Sequence, residues 1–160
     1  MTPCPHLVAR IMTVMNAAFD PAFGEAWNNR QVSDALTMPS THALVIDNAG
    51  QEILGEPLVP APRVPAGFVL TRHAANEEEL LLIAVTPEFR GRGLGGTLID
   101  RLVKSATERG ATRIFLEMRR GNPAVHLYQK VGFEPIGERP NYYRLTNGNQ
   151  VDAITFGLSI

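Results

Sequence analysis

Cysteine is almost missing from this chain. A single one, Cys4, stands near its start, so an internal disulfide, a thiol pair and a cysteine metal cluster are all excluded, and a reducing cytoplasm suits the composition. An excess of charge of one sign is missing as well. Fifteen Lys and Arg against 16 Asp and Glu leave a formal charge of -1, so no global field draws the protein onto nucleic acid or an anionic membrane, and any anion site must be local. Long apolar runs are lacking too. The longest, Leu80 to Val85, is far too short to cross a bilayer, and the first residues show no basic region followed by an apolar core. His6, His42 and His73 show no metal spacing, and His126, two positions from Tyr128, is expected to point away from it on a helix. The expectation is a cytoplasmic protein with no metal, no membrane and no direct nucleic-acid partner.

What is present is the material of one compact domain spanning 1–160. With 44% hydrophobic residues over 160 positions, a sizeable core can be buried, and a second full domain would not fit. Leu7, Ile11, Val14, Met15 and Ala18 recur at three- and four-residue spacing and predict a helix that Asp20-Pro21 ends. A shorter helix is predicted from near Trp27 to Leu36, and strands over His42–Asp47 and Gly67–Thr71. Between those strands, Pro57, Pro60, Pro62 and Pro65 exclude a regular element, so a proline-rich hairpin insertion is expected at about 55–66. Leu80 to Val85 reads as a central strand, apolar on both faces. Leu94, Leu98, Ile99, Leu102, Val103 and Ala106 mark an amphipathic helix with Gly110 at its C-terminal cap. Ile114–Met118 is another strand. Asn122-Pro123 is expected to start a short helix, with the asparagine as cap and the proline in the first turn; Gly132 ends it and Phe133 opens a further strand. This order predicts a mixed α/β sheet.

The strongest chemical signal is Arg90-Gly91-Arg92-Gly93-Leu94-Gly95-Gly96, set between the central strand and the long helix. Four glycines in six positions clear the backbone of side-chain bulk, and the following helix offers unpaired N–H groups with a partial positive charge. The segment reads as an anion cradle. Gly91, Gly93 and Gly96 also fit the spacing of a dinucleotide fingerprint, with Glu117 lying 21 residues beyond Gly96. That match is superficial, because the turn is basic and comes in mid-chain after an antiparallel portion. A P-loop is excluded, since no Gly-Lys-Ser/Thr follows.

Here the sequence resembles the GNAT N-acetyltransferase superfamily. Arg90-x-x-Gly93-x-Gly95 matches its signature Arg/Gln-x-x-Gly-x-Gly/Ala, which implies that Arg90, Gly91, Arg92, Gly93, Leu94, Gly95 and Gly96 hold the pyrophosphate of acetyl-CoA. Ile83-Ala84-Val85 matches the strand whose backbone, in the family, pairs with the pantetheine arm. Asn122 and Leu127 to Phe133 resemble the later motif Asn…Leu-Tyr-x-x-x-Gly-Phe. Within the superfamily the likeness is to the ribosomal-protein-alanine N-acetyltransferases and their N-terminal acetyltransferase relatives. It is carried by Ile83 to Gly96, Leu116-Glu117-Met118-Arg119, Leu127 to Phe133, and Asn141-Tyr142-Tyr143 followed by Asp152-Ala153-Ile154. The resemblance implies a GNAT fold, a mixed and mostly antiparallel sheet splayed near Val85 and Glu117 and flanked by helices. It also implies Glu117 as the base, Tyr128 as the acid and Asn122 as a contact to acetyl-CoA, the co-substrate. Trp27, Tyr142 and Tyr143 are the candidates to line the groove for an acceptor peptide.

Chemistry gives these residues a task. An ammonium ion has no lone pair, so attack on a thioester needs a neutral amine and an acceptor for its proton. About a tenth of an α-amine is neutral at pH 7, against well under a thousandth of a lysine. A protein N-terminus, such as that of a ribosomal protein, therefore asks less of the base. Several residues carry a second reading. Glu117 is otherwise an ion-paired strand residue, Tyr128 and Trp27 otherwise pack the core, and Tyr142 and Tyr143 otherwise pack a strand pair. Glu79 is a rival base, although Glu77-Glu78-Glu79 reads more simply as a solvated turn. Arg119-Arg120 either meets phosphate or faces solvent. The expected activity is direct acetyl transfer to a primary amine. The alternatives are a small-amine or lysine N-acetyltransferase, and a non-catalytic sensor that only binds acyl-CoA.

Overall fold

The computed structural model describes residues 4–55 and 63–160. Helix α1 (Pro5–Ala18) opens with proline in its first turn and buries Val8, Ile11, Val14 and Met15. A 3₁₀ turn at Pro21–Phe23 leads to α2 (Asn29–Leu36), which begins with a reciprocal cap: the Asn28 side chain accepts from the Gln31 N–H, and the Gln31 side chain from the Asn28 N–H, both at 2.8 Å. This pairing satisfies two donors that a helix start otherwise leaves open. Strands β1 (Thr41–Asp47), β2 (Pro65–Ala74) and β3 (Glu77–Val85) follow, then α3 (Leu94–Glu108), β4 (Arg113–Arg119), α4 (Val125–Lys130), β5 (Glu134–Arg144) and β6 (Gln150–Ser159). No helix among the described residues is long and apolar enough to cross a membrane.

The six strands form one sheet in the order β1-β2-β3-β4-β6-β5, antiparallel throughout except for β3 and β4. Alternate residues of its strands feed opposite layers, as the two-residue repeat of a strand requires. On one face Phe68 and Leu70 pack with Val8, Ile11 and Met15 of α1. On the other, Val69, Ile114, Leu116 and Met118 pack with Leu98, Ile99 and Leu102 of α3 and with Tyr128 of α4.

The parallel pair makes the opening in this sheet. Its ladder runs only from Glu77 opposite Arg113 to Leu80 opposite Leu116. Beyond it β3 continues to Val85, still paired with β2, while β4 continues to Arg119, paired with β6. The two strands therefore part after Leu80 and Leu116, where the splay near Val85 and Glu117 is expected.

Two expectations are corrected. Glu77-Glu78-Glu79 is not a solvated turn but the first part of β3, and the Glu78 side chain is completely buried. It accepts from the Arg109 Nε at 3.0 Å and from the Thr71 hydroxyl at 2.9 Å, and lies 3.1 Å from the His73 Nδ1. A buried carboxylate is tolerable only with such partners. Second, α4 starts at Val125 instead of Asn122-Pro123. The Asn122 side chain accepts from the Ala124 N–H at 2.9 Å, so it caps a turn that precedes the helix. Of the proline-rich stretch, Pro65 is the first residue of β2, while Pro57, Pro60 and Pro62 fall outside the described residues.

Candidate functional site

The splay opens into a cleft of about 950 Å³. One wall is β3 from Leu80 to Val85, the other is β4 from Leu116 to Arg119, and the floor of the far end is the glycine-rich turn with the start of α3. Past Leu80 the β4-facing edge of β3 has no strand partner. Those backbone groups of Ile83 to Val85 that face this edge, apart from the Val85 carbonyl bound by the Arg90 Nε, are therefore available to an extended ligand arm, since buried backbone groups demand partners.

The turn is shaped by its glycines. Gly91 and Gly93 have φ of 78°, a left-handed conformation that other residues adopt at a cost, and Gly93 caps α3. A side-chain carbon added at Gly91, Gly93 or Gly96 would meet nothing within 4 Å. The space above the first N–H groups of α3 is thus kept clear for a ligand, and those groups favour an anion. Gly95 has another role: a carbon there would come within 2.9 Å of the Leu127 Cδ2, so this glycine lets α4 approach α3.

The predicted site residues divide into two groups. Ile83, Ala84, Val85, Arg90, Gly91, Gly93, Leu94, Gly95, Gly96, Asn122, Glu117 and Tyr128 all line the cleft. Arg92, Trp27, Tyr142 and Tyr143 do not. Arg92 lies over the Phe89 ring, its guanidinium carbon 5.4 Å from the centroid, and Trp27 packs on the apolar layer beneath α1. Tyr142 and Tyr143 sit edge to face with centroids 5.1 Å apart on β5. Arg90, although in the lining, donates from Nε to the Val85 carbonyl and from a terminal nitrogen to the Ala18 carbonyl, each at 3.1 Å. It ties the end of α1 to the end of β3.

The two candidate reacting groups stand in different surroundings. Glu117 pairs with Arg139 at 3.2 Å and accepts from the Thr155 hydroxyl at 3.4 Å, with a fifth of its side chain exposed. The Tyr143 hydroxyl donates to the Glu117 backbone carbonyl at 3.5 Å, and burial followed by the Glu117 charge pushes its phenol up to about 12. Tyr128 is buried against Phe133, and burial, reinforced by the Glu25 charge, pushes its phenol well above the usual tyrosine range. Its hydroxyl has no hydrogen-bond partner among the described residues.

A family model described as Acetyltransferase (GNAT) family matches residues 12–133. The chain belongs to the GNAT acetyltransferase family. It is 35% identical over 136 residues to the [ribosomal protein bS18]-alanine N-acetyltransferase of Salmonella typhimurium, covering 84% of this chain and 89% of that protein. It is 33% identical over 127 residues to the enzyme of the same name from Escherichia coli K12, covering 79% and 84%. The crystal structure of the ribosomal-protein-S18-alanine N-acetyltransferase from Escherichia coli superposes with a TM-score of 0.76 at 25% identity, over 100% of this chain and 92% of that one. The protein is therefore an N-acetyltransferase with the GNAT fold, and GNAT acetyltransferases use acetyl-CoA. The cleft fits that molecule: a glycine cradle for a diphosphate leads along an unpartnered strand edge toward Glu117 and Tyr128.

Sequence reasoning missed Glu25 as a cleft residue, and with it the anchor of Arg119. Arg119 is 3.1 Å from Glu25, and its guanidinium carbon sits 3.5 Å from the centroid of the Phe23 ring. Arg120 pairs instead with Glu138 and Asp152. Glu25 and Arg119 are 94 residues apart, and no local pattern reports such a pairing. Glu79, the rival base, is paired with Arg72 and lies outside the cleft lining.

Proposed function

We propose that this enzyme acetylates the N-terminal α-amine of a protein, and that the protein is ribosomal protein bS18 with alanine as its first residue. The substrate follows from the two relatives of that name, each matched over most of its length. The observation that carries the chemistry is the cleft itself, with Glu117 and Tyr128 in the walls where β3 and β4 part.

Acetyl-CoA supplies a thioester whose C–S bond breaks as the C–N bond to the amine forms. Gly91, Gly93 and the first N–H groups of α3 hold its diphosphate, and the free edge of Ile83 to Val85 aligns the arm. Asn122 keeps the wall beside the arm in shape through its bond to the Ala124 N–H. Glu117 takes the proton from the incoming amine, directly or through a water, with one carboxylate oxygen fixed by Arg139 and Thr155. Tyr128 keeps its proton at neutral pH because burial disfavours the phenolate. Against a leaving thiolate of ordinary pKa near 8.5, full proton transfer from such a phenol is uphill, so Tyr128 acts first as a hydrogen-bond donor to the developing charge. Tyr143, through its bond to the Glu117 carbonyl, and Tyr142 beside it border the acceptor side. Trp27 packs on the apolar layer beneath α1, outside the cleft lining, and takes no part in this reading.

The test is thiol release from acetyl-CoA across a panel: the N-terminal peptide of bS18, the same peptide blocked at its α-amine, a blocked lysine peptide, and polyamines. The free N-terminal alanine is expected to give the highest kcat/KM. A panel in which the blocked lysine peptide or a polyamine outcompetes it would overturn the substrate assignment. Absence of turnover with every amine, despite acetyl-CoA binding, would indicate a sensor.

A further inference from the structure

The cleft must accept a polyanion, yet almost every charge in its lining is already engaged. Arg90 is spent on two backbone carbonyls and Arg119 on Glu25, while Arg92 lies outside the lining. Lys130 is different. It lines the cleft, is exposed, and has no ion-pair partner among the described residues. It also occupies a defined position relative to the cradle. Leu127 and Lys130 are three apart on α4 and share a face, and Leu127 abuts Gly95 of the glycine turn. Lys130 therefore stands one helical turn beyond the point where α4 touches the phosphate cradle.

We propose that Lys130 is a binding residue for the nucleotide end of acetyl-CoA, its ammonium pairing with a phosphate of the coenzyme that the backbone cradle leaves exposed. This rests on the acetyl-CoA reading above. Net charge makes the contact matter: with a formal charge of -1 over the whole chain, the protein supplies no background attraction, so a local cation sets both affinity and its salt dependence. A lysine in the last turn of a helix also complements the helix dipole, and the experiment separates that role from phosphate binding.

Affinity is measured by calorimetry for the parent, Lys130→Ala and Lys130→Arg with acetyl-CoA at low and high salt, and by NMR titration with acetyl-pantetheine, which carries no phosphodiester and no nucleotide phosphate. Lys130→Ala is expected to bind acetyl-CoA about tenfold more weakly at low salt, with a shallower salt dependence, while Lys130→Arg stays near the parent. All three are expected to bind acetyl-pantetheine alike. Unchanged acetyl-CoA affinity in Lys130→Ala would overturn the proposal, and so would an equal loss toward acetyl-pantetheine, which would mark a structural role. A parent that bound neither thioester would instead overturn the acetyl-CoA reading, and this inference with it.

Discussion

Replacing Arg109 with methionine should destabilise the enzyme strongly at neutral pH and much less in acid. Glu78 has no exposed side-chain surface, whereas Arg109 keeps a quarter of its own in water. Burial alone would raise the Glu78 carboxyl, but the bond from Arg109, joined by Thr71, the Arg109 charge and His73, outweighs it and holds the carboxyl below its ordinary value. A carboxyl lowered by folding stabilises the native state above its unfolded pKa of about 4.3, and that contribution is lost as pH falls through the folded value. Removing Arg109 leaves an uncompensated buried charge, an event that costs about 3–5 kcal/mol. Because Arg109 is partly exposed the low end applies, about 3 kcal/mol, or about 6–12 °C in Tm for a chain of this size. In the variant, burial acts on Glu78 with only Thr71 and His73 opposing it. Its carboxyl rises, so the deficit against the parent narrows as acidification protonates it. Urea unfolding at pH 7.5 and pH 5 measures both. Glu78→Gln combined with Arg109→Met should recover most of the loss, since no lone charge remains. A deficit below about 1 kcal/mol at pH 7.5, or one that widens in acid, would refute the reasoning. Neither residue lines the cleft, so turnover measured well below the melting range should stay near that of the parent.

Tyr128→Phe should lower kcat by about 10²- to 10⁴-fold with acetyl-CoA affinity nearly intact, since only the hydroxyl is removed and the ring still packs on Phe133; near-parent turnover would return Tyr128 to a packing role. Gly93→Val and Gly95→Val should separate. The first should abolish acetyl-CoA binding in calorimetry, because the side chain enters the cradle and the left-handed backbone disfavours it. The second should cost about 1–3 kcal/mol of stability through its clash with Leu127, with thermal melting as the readout.

The glycine turn at the start of α3 was legible in the sequence because everything that shapes it is local. Glycines at 91, 93, 95 and 96 sit next to each other in the chain as they do in the cleft. The splay was legible through the family motif that places Val85 and Glu117 on facing strands. What the sequence hid depends on long-range pairing. Glu78 reads as one of three consecutive acids, and only Arg109, 31 residues away, turns it into a buried ion pair. Glu25 reads as an ordinary loop residue until Arg119 is placed beside it. Gly95 looked like one more cradle glycine because nothing local reports the approach of Leu127. Asn122-Pro123 shows a subtler limit: the capping chemistry was read correctly, but the side chain closes a turn that leads into the helix, and α4 itself begins at Val125.

The β5–β6 hairpin lies outside the cleft lining, yet it holds the candidate base from three directions. Arg139 and Thr155 fix one carboxylate oxygen of Glu117, and Tyr143 bonds to its backbone carbonyl. Arg139 in turn lies over the Tyr142 ring, 5.0 Å from its centroid. A peptide laid against Tyr142 and Tyr143 would therefore press on the same groups that orient Glu117. Between Arg139 and Tyr143 the pairing register of β5 shifts, with Asn141 at a φ of 55° and its N–H donated to the Asp152 carboxylate at 2.9 Å. Such a bulge re-aims side chains next to a site. If Tyr142 and Tyr143 receive the acceptor as proposed, its recognition and the orientation of the candidate base share one strand irregularity, and the hairpin would tune which amine reacts without touching the thioester.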